Sequence, residues 1–199
     1  MTEEPARERS DSRRKRLRLI AAAREAVAEH GLDVSAAEIA ARAEVGVATL
    51  YRRFGSKEAL VQDVLIDGLA EVQSAADEAL ADPDAWSGFA RFLVALTQAQ
   101  VANRGVAEFT ATHSKGLPPA TAPYAERLTA AMQELTERAQ AAGVVRTDVT
   151  WRDVFMLSVA PVGADECLAA RAGEQQWRRT IAIALDGLRT PSPHELPTA

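Results

Sequence analysis

A chain of 199 residues with 47% hydrophobic content can bury one or two cores, and its one cysteine, Cys167, excludes an internal disulfide and any cysteine-based zinc site. No apolar run approaches the roughly 18 residues a membrane span needs, and no signal-peptide pattern opens the chain, so a cytoplasmic protein away from membranes is expected. The net charge of −5 argues at first against a polyanionic partner, yet residues 1–65 carry 12 Lys and Arg against 11 Asp and Glu. Arg7 to Arg18 alone holds seven cations and two acids, while residues 66–199 sum to −6. A basic end on an acidic body points to nucleic acid at that end, with the remainder kept soluble.

Residues 1–12 show no periodicity and are expected to be disordered in isolation. Arg7, Arg9, Arg13 and Arg14 there suit a minor groove or a phosphate row, or else a solvated tail. A first helix is expected from about Ser12 to Glu29, with Leu19, Ile20, Ala23 and Val27 inward and Gly31 just past its end. Ser35 and Glu38 read as a capping box, in which the hydroxyl takes the third amide and the carboxylate reaches back. The short helix they open carries Ile39, Ala40 and Ala43 on its apolar face. Glu44-Val45-Gly46 interrupts it, with Gly46 expected where the chain leaves helical geometry. A second short helix, Val47 to Phe54, turns Leu50 and Phe54 inward and Val47, Ala48, Tyr51 and Arg52 outward. That outer stripe is small, aromatic and cationic, which suits a helix pressed into a major groove. Ser56 caps the next helix, with Lys57 in its first turn as a candidate phosphate clamp.

This next helix runs through Leu60, Leu65, Leu69, Val72 and Ala76 to Leu80, about 36 Å at 1.5 Å per residue, with Gly68 as a soft point. Asp82-Pro83-Asp84 breaks it, and Asp84 caps a helix from about Ala85 to Ala102 bearing Trp86, Phe89, Phe92, Leu93 and Leu96. A short helix, Val106 to Thr112, follows a turn at Asn103-Arg104-Gly105, and His113 to Pro119 is a loop by composition. A helix from about Thr121 to Ala142, with Tyr124, Leu128, Met132 and Leu135 inward, stops at Gly143. Thr150 and Asp153 open another, carrying Val154, Phe155, Leu157, Ser158 and Val159, which Pro161 and Gly163 should kink or break. The last, about Glu174 to Leu188, shows Trp177, Ile181, Ala184, Leu185 and Leu188 on one face, and Thr190 to Ala199 is expected to fray. No strand pattern and no repeat occurs, so an all-α fold of about nine helices is expected.

Nothing in the chain assembles catalytic chemistry. His30, His113 and His194 are scattered, and no phosphate loop, HExxH or nucleophile elbow is present. No enzyme activity, metal or cofactor is expected. Trp86, Phe89, Phe109, Tyr124, Met132, Phe155 and Met156, with His113 in its loop, are candidate linings for an apolar effector cavity, though ordinary core is the commoner role for the apolar ones and an exposed loop position for the histidine.

The run Ile39-Ala40, Ala43, Val45, Thr49-Leu50-Tyr51, Phe54 and Ser56-Lys57-Glu58-x-Leu60 resembles the helix-turn-helix of the TetR family of bacterial regulators, over about 50 residues from Leu17 to Leu65. The resemblance implies a three-helix DNA-binding head joined by a long helix to a helical ligand-binding and dimerisation domain. Residues 1–65 would form arm and head, 66–190 the effector and dimerisation domain, and 191–199 a flexible tail. It implies DNA contacts from Ser35, Val47, Ala48, Thr49, Tyr51, Arg52, Arg53 and Lys57, with Arg13 and Arg14. Two residues depart from the pattern: Glu44 stands where Gly is usual, and Gly46 where Ser caps the recognition helix, a loss of a few tenths of a kcal/mol.

The stretch from Ala141-Ala142-Gly143 to Leu185-Asp186-Gly187-Leu188-Arg189 is similar to the ligand-binding half of a subset of these regulators. There the last two long helices pair with a second subunit, which implies an interface around Val159, Leu168, Trp177, Ile181, Leu185 and Leu188. The expectation is a ligand-responsive regulator, a repressor, that binds double-stranded operator DNA as a homodimer on a near-palindromic site and is released by a small, largely apolar effector. The alternative is a DNA-associated architectural or adaptor protein with no small-molecule response. An effector would act through the long helix that starts at Lys57, the only stiff connection the sequence offers.

Overall fold

The computed structural model describes residues 4–111, 119–162, 176–191 and 196–197. His113, Gly163, Cys167 and Leu168 lie outside the described residues, as do the side chains of residues 4–12 and of Phe109. The described residues hold nine α-helices and a 3-10 turn at Pro119–Thr121, with no strand beyond an isolated bridge between Val145 and Arg189. The helices are α1 (Glu4–His30), α2 (Ala36–Arg42), α3 (Val47–Phe54), α4 (Lys57–Ala81), α5 (Ala85–Ala102), α6 (Arg104–Ala111), α7 (Ala122–Ala141), α8 (Trp151–Val159) and α9 (Gln176–Leu188). The chain divides into two compact units, Met1–Gly68 with Asn103–Thr112, and Leu69–Ala102 with His113–Ala199.

In the first unit Leu19, Ala23, Ala26 and Val27 of α1 meet Ile39 of α2, Leu50 of α3, and Leu60, Val61 and Val64 of α4, all buried. Burying each aliphatic side chain of this size is worth about 1.5–3 kcal/mol, and that holds together helices too short to persist alone. Helix α1 begins at Glu4, eight residues before the expected Ser12 and within the stretch expected to be disordered. Its first turns are rich in Ala, Arg and Glu, good helix formers, with an acid and a proline in the first turn, where the helix dipole and the missing N–H favour them.

Only half of the expected capping box forms. Ser35 Oγ accepts from Glu38 N at 3.1 Å, but the Glu38 carboxylate turns away from the Ser35 amide. It lies 3.0 Å from His30 Nε2 and 3.4 Å from Arg42 Nη2, and a charged donor outcompetes a neutral amide. The turn out of α2 also differs from expectation. The left-handed residue is Glu44, with φ 54°, whereas Gly46 is extended at φ −72° and serves as N-cap of α3. Val45 N donates to Ala40 O and Glu44 N to Ala41 O, at 3.0 and 3.1 Å, the pair of bonds that defines a Schellman stop. The end of α7 repeats both bonds with Gly143 in the left-handed place, at φ 70°. A glycine takes that conformation without penalty, and Glu44 does not.

A segment expected to belong with the effector domain joins the first unit. Helix α6 packs on α1, and Glu108 Oε2 accepts from Leu32 N at 2.8 Å while Arg104 Nε donates to Glu108 Oε1 at 3.0 Å. Gly105 makes the approach possible, because a Cβ there would overlap Val27. No local pattern in the sequence carries this pairing, since its partners are 76 residues apart.

The second unit is built around α5, which packs against α7, α8 and α9. Phe89, Phe92, Leu93 and Leu96 are buried with Leu128, Met132, Leu135, Val154 and Ile181. Buried polar side chains of α5, α7 and α8 pair within the unit: Gln100 Nε2 donates to Ser158 Oγ at 2.9 Å, and the Thr97 and Thr136 hydroxyls donate to carbonyls one turn back. Arg138 of α7 caps the end of α4, donating to Leu80 O at 2.6 Å and to Asp82 O. That supplies a cation and two donors where a helix leaves its carbonyls unpaired. Thr150 and Asp153 form the expected capping box of α8. The stretch expected to fray from Thr190 is tied down at its start, because Thr190 N donates to Val144 O at 3.4 Å and Thr190 Oγ1 to Gly143 O.

Glu44→Gly should raise stability by about 1 kcal/mol, since the left-handed strain it removes is about 1–2 kcal/mol. The pair it loses, Arg18 Nη1 to Glu44 Oε2 at 3.5 Å with the Glu44 side chain 84% exposed, is worth a few tenths at most, roughly. Glu44→Ala keeps the strain and serves as the control. Urea unfolding that shows no gain for the glycine variant over both wild type and alanine would refute the strain assignment.

Candidate nucleic-acid interface

Helix α3 is eight residues long, and its orientation is fixed by Leu50, which is fully buried, and by Phe54, packed at the edge of the same core. The guanidinium of Arg16 lies 4.7 Å from the Phe54 ring centroid and 3.8 Å from Asp63, closing that edge from α1. With Leu50 and Phe54 inward, the opposite stripe faces out: Val47 is 37% and Tyr51 47% exposed, and Ala48 and Arg52 are exposed beside them. Thr49 and Arg53 are half-buried on the flanks, and Thr49 N bonds Gly46 O at 2.8 Å in the first turn. A guanidinium, a phenol and two small apolar side chains on one exposed stripe can donate to guanine or phosphate, bond a phosphate, and approach a thymine methyl.

Around this stripe the other predicted residues take different places. Ser35 is exposed at the N-terminus of α2, its hydroxyl already accepting from Glu38 N. Lys57 is half-buried in the first turn of α4, its Nζ 3.7 Å from Glu58 Oε1, and Ser56 Oγ caps that helix by accepting from Ala59 N at 3.0 Å. Arg13 and Arg14 are exposed on α1. Other α1 cations are drawn to acids of the same unit: Arg16 to Asp63, Arg18 to Glu44 at 3.5 Å, and Arg24 to Asp67 at 3.2 Å. The positive charge counted in the sequence is therefore partly spent inside the head.

Sequence reasoning missed the brace between α1 and α2. Arg42 Nη2 lies 2.5 Å from Glu29 Oε2 and 3.1 Å from His30 Nε2, besides its approach to Glu38. The hydrogen bond from Arg42 holds the Glu29 carboxyl below its usual range and raises the guanidinium in turn. This brace ties the last turn of α2 to the end of α1. An acid at the end of one helix and a base four residues after another acid were its only trace in the chain.

Of the candidate effector residues, Trp86, Phe89, Tyr124, Met132, Phe155 and Met156 are dispersed in the second unit, whereas Phe109 falls in the first. Phe89 and Met132 are buried, whereas Trp86, Tyr124 and Phe155 are half-buried and Met156 is 64% exposed. The Trp86 and Phe89 ring centroids are 6.1 Å apart with the planes tilted by 35°, and the Arg189 guanidinium lies 4.2 Å from the Trp86 ring centroid. A groove of about 430 Å³ is lined by Arg146, Val149, Asp153, Met156, Leu157, Ala184, Gly187, Leu188 and Leu196. It gathers Met156 and Leu188 from the predicted sets and none of the aromatic residues. Of the candidate dimer residues, Ile181 and Leu188 are buried within their own unit, while Val159, Trp177 and Leu185 are half-buried. Ile183, not among those candidates, is 63% exposed.

A short exposed helix held by a three-helix core, entered through a tight turn from a preceding helix, defines a helix-turn-helix DNA-binding protein. Residues 19–64 match the family model described as bacterial regulatory proteins, tetR family, and residues 82–190 match that of the C-terminal domain of SbtR-like transcriptional regulators. The chain belongs to the TetR family of transcriptional regulators. Among solved structures, it is similar to a TetR transcriptional regulator from Streptomyces coelicolor, 28% identical, with a TM-score of 0.61 over 89% of this chain and 99% of that one. A TetR regulatory protein from Mycobacterium vanbaalenii is 29% identical, with a TM-score of 0.59 over 92% and 99%. FadR from Bacillus subtilis, solved with stearoyl-CoA, shares the fold at 15% identity and a TM-score of 0.63 over 87% and 97%. No curated protein matches the chain. Among the described residues no helix is long and apolar enough to cross a membrane.

Operator affinity should fall steeply with salt, by about one logarithmic unit per logarithmic unit of salt for each phosphate neutralised. Deleting residues 1–12 should flatten the slope, and Lys57→Gln should flatten it by about one unit. Arg52→Ala should cost about 1–3 kcal/mol and relax preference at one base position per half-site. Uniform weakening over all sequences, measured by titration on a panel of operator variants, would move Arg52 from base reading to phosphate.

Proposed function

We propose that the chain is a cytoplasmic, ligand-responsive repressor that binds a near-palindromic operator as a homodimer and releases it when a small, largely apolar effector binds. The observation that carries the reading is the outward stripe of α3, Val47, Ala48, Tyr51 and Arg52, held in place by buried Leu50. Ser35, Thr49, Arg53, Lys57, Arg13 and Arg14 flank it as backbone contacts. One eight-residue helix reaches few base edges, so specificity requires two, on half-sites about 34–36 Å apart or a multiple of that. Two-fold pairing then matches operator symmetry to protein symmetry.

The pairing surface lies on α8 and α9. Met156 and Ile183 are the large apolar side chains that these helices leave in water, 64% and 63% exposed. Val159, Trp177 and Leu185 border them, and Ile181 and Leu188 support the surface from beneath. Residues 1–65 carry the DNA reading, residues 66–190 effector binding and pairing. Half-buried Trp86, Tyr124 and Phe155 offer an effector an apolar lining. Helix α4 is continuous through both units, about 37 Å long at 1.5 Å per residue, and α6 gives a second link, since it follows α5 directly in the chain and is bonded to α1. An effector that moves either changes the spacing of two α3 helices, and by linkage it binds the DNA-free form more tightly by the factor with which it weakens DNA.

The reading is tested by recovering the genomic fragments the purified protein retains and asking for a two-fold motif among them. Ile183→Glu should give a folded monomer with operator affinity down about a hundredfold or more, through lost bivalency. Ile181→Glu should instead lower the melting temperature, because that side chain is 1% exposed in its own core. Sedimentation showing a monomeric wild type at micromolar concentration, or retained fragments without a shared motif, would end the homodimer reading.

A further inference from the structure

Beyond α9, Leu196 lies in the groove beside α8. Leu196 N donates to Asp148 Oδ2 at 2.9 Å. Asp148 also receives Arg146 Nε at 2.6 Å and Nη2 at 2.7 Å, and Arg146, only 8% exposed, donates through Nη1 to Gly187 O at 3.4 Å. The Leu196 amide is therefore wired through a carboxylate and a buried guanidinium to the last turn of α9. The hydrogen bonds from Arg146, with that from the Leu196 amide, hold the Asp148 carboxyl well below the usual carboxylate range. A depressed carboxyl contributes stability that is present above its unfolded value of about 3.9 and is lost only as pH falls through the lower folded value. The anchor is therefore intact across neutral and mildly acidic pH.

The Leu196 side chain lines the groove whose other walls are Val149, Met156 and Leu157 on one side and Ala184, Gly187 and Leu188 on the other. This groove runs into the proposed pairing surface. Met156 belongs to both, and Gly187 shares the α9 stripe of Ile183, four residues on. We propose that residues 196–197 form a strap seated on one end of the α8–α9 pairing surface, so that the strap competes with a second copy of the chain and weakens self-association. The proposal rests on the homodimer reading above. The seat is shallow, since Leu196 remains 43% exposed and, among the described residues, one hydrogen bond from its amide anchors it. Pro197 has no N–H with which to add another. A strap held this way is displaced by a larger apolar surface, and so it tunes the association constant without blocking it.

The test is sedimentation velocity over a range of concentrations on wild type, on a chain lacking residues 192–199, and on full-length Leu196→Ser. Freeing the groove of a partly buried leucine should tighten the dimer about three- to tenfold in both variants, with unchanged melting of the monomer fraction. Leu196→Ser alters one partly exposed side chain and keeps the amide, so it guards against a folding defect in the shortened chain. A dimer constant that is unchanged or weaker in Leu196→Ser overturns the strap, and weakening would place the segment inside the interface. A wild type that stays monomeric at every concentration overturns the homodimer reading itself, and the competition falls with it.

Discussion

The burial of Leu50 decides whether this protein has a DNA-reading surface at all. An isolated eight-residue helix is not stable in water, because helix nucleation costs more than so few hydrogen bonds return. Helix α3 exists because Leu50 and Phe54 dock among Leu19, Val27, Ile39 and Leu60. That docking also fixes which side of α3 faces out. The chemistry of the outer stripe and the packing of the inner one are therefore a single constraint.

Electrostatics within the head refine that surface more than they create it. Arg16, Arg18 and Arg24 lie against acids of the same unit, and Arg42 ties α2 to α1 through Glu29 and His30. Such partly exposed pairs contribute little to stability individually. Their effect is on geometry and on charge bookkeeping, since they hold helices in register and withdraw cations from the surface that meets a polyanion. The strained turn at Glu44 belongs to the same economy: its carboxylate lies toward Arg18 and its backbone completes the Schellman stop.

Much of this architecture was legible in the chain, and several of the failures share one cause. Ser56, Asp84 and the Thr150 and Asp153 pair announced their helices, because caps are local. The outward stripe of α3 was legible for the same reason, since a 3.6-residue period with Leu50 inward leaves no other face for Tyr51 and Arg52. The Glu38 carboxylate, the Arg138 cap on α4 and the Glu108 bond to Leu32 were not, because each partner comes from a distant segment. Periodicity also marks a buried stripe without saying whether it is core or cavity wall. Phe89 and Met132 proved buried and Met156 exposed, although all three entered as one candidate set.

The bond between Glu108 and the Leu32 amide bears on how such proteins can be recombined. Sensor and reader halves of regulators invite exchange as if they were beads on a string, cut at the long helix. Here a cut after Gly68 would leave the reader without α6, its Leu32 amide without the carboxylate that accepts it, and Val27 without the close backbone of Gly105. The reader is a discontinuous module, assembled from two stretches of chain. A hybrid regulator that keeps its native affinity for DNA must carry α6 across with the first 68 residues, and so must take with it a segment that lies in the chain between helices of the second unit.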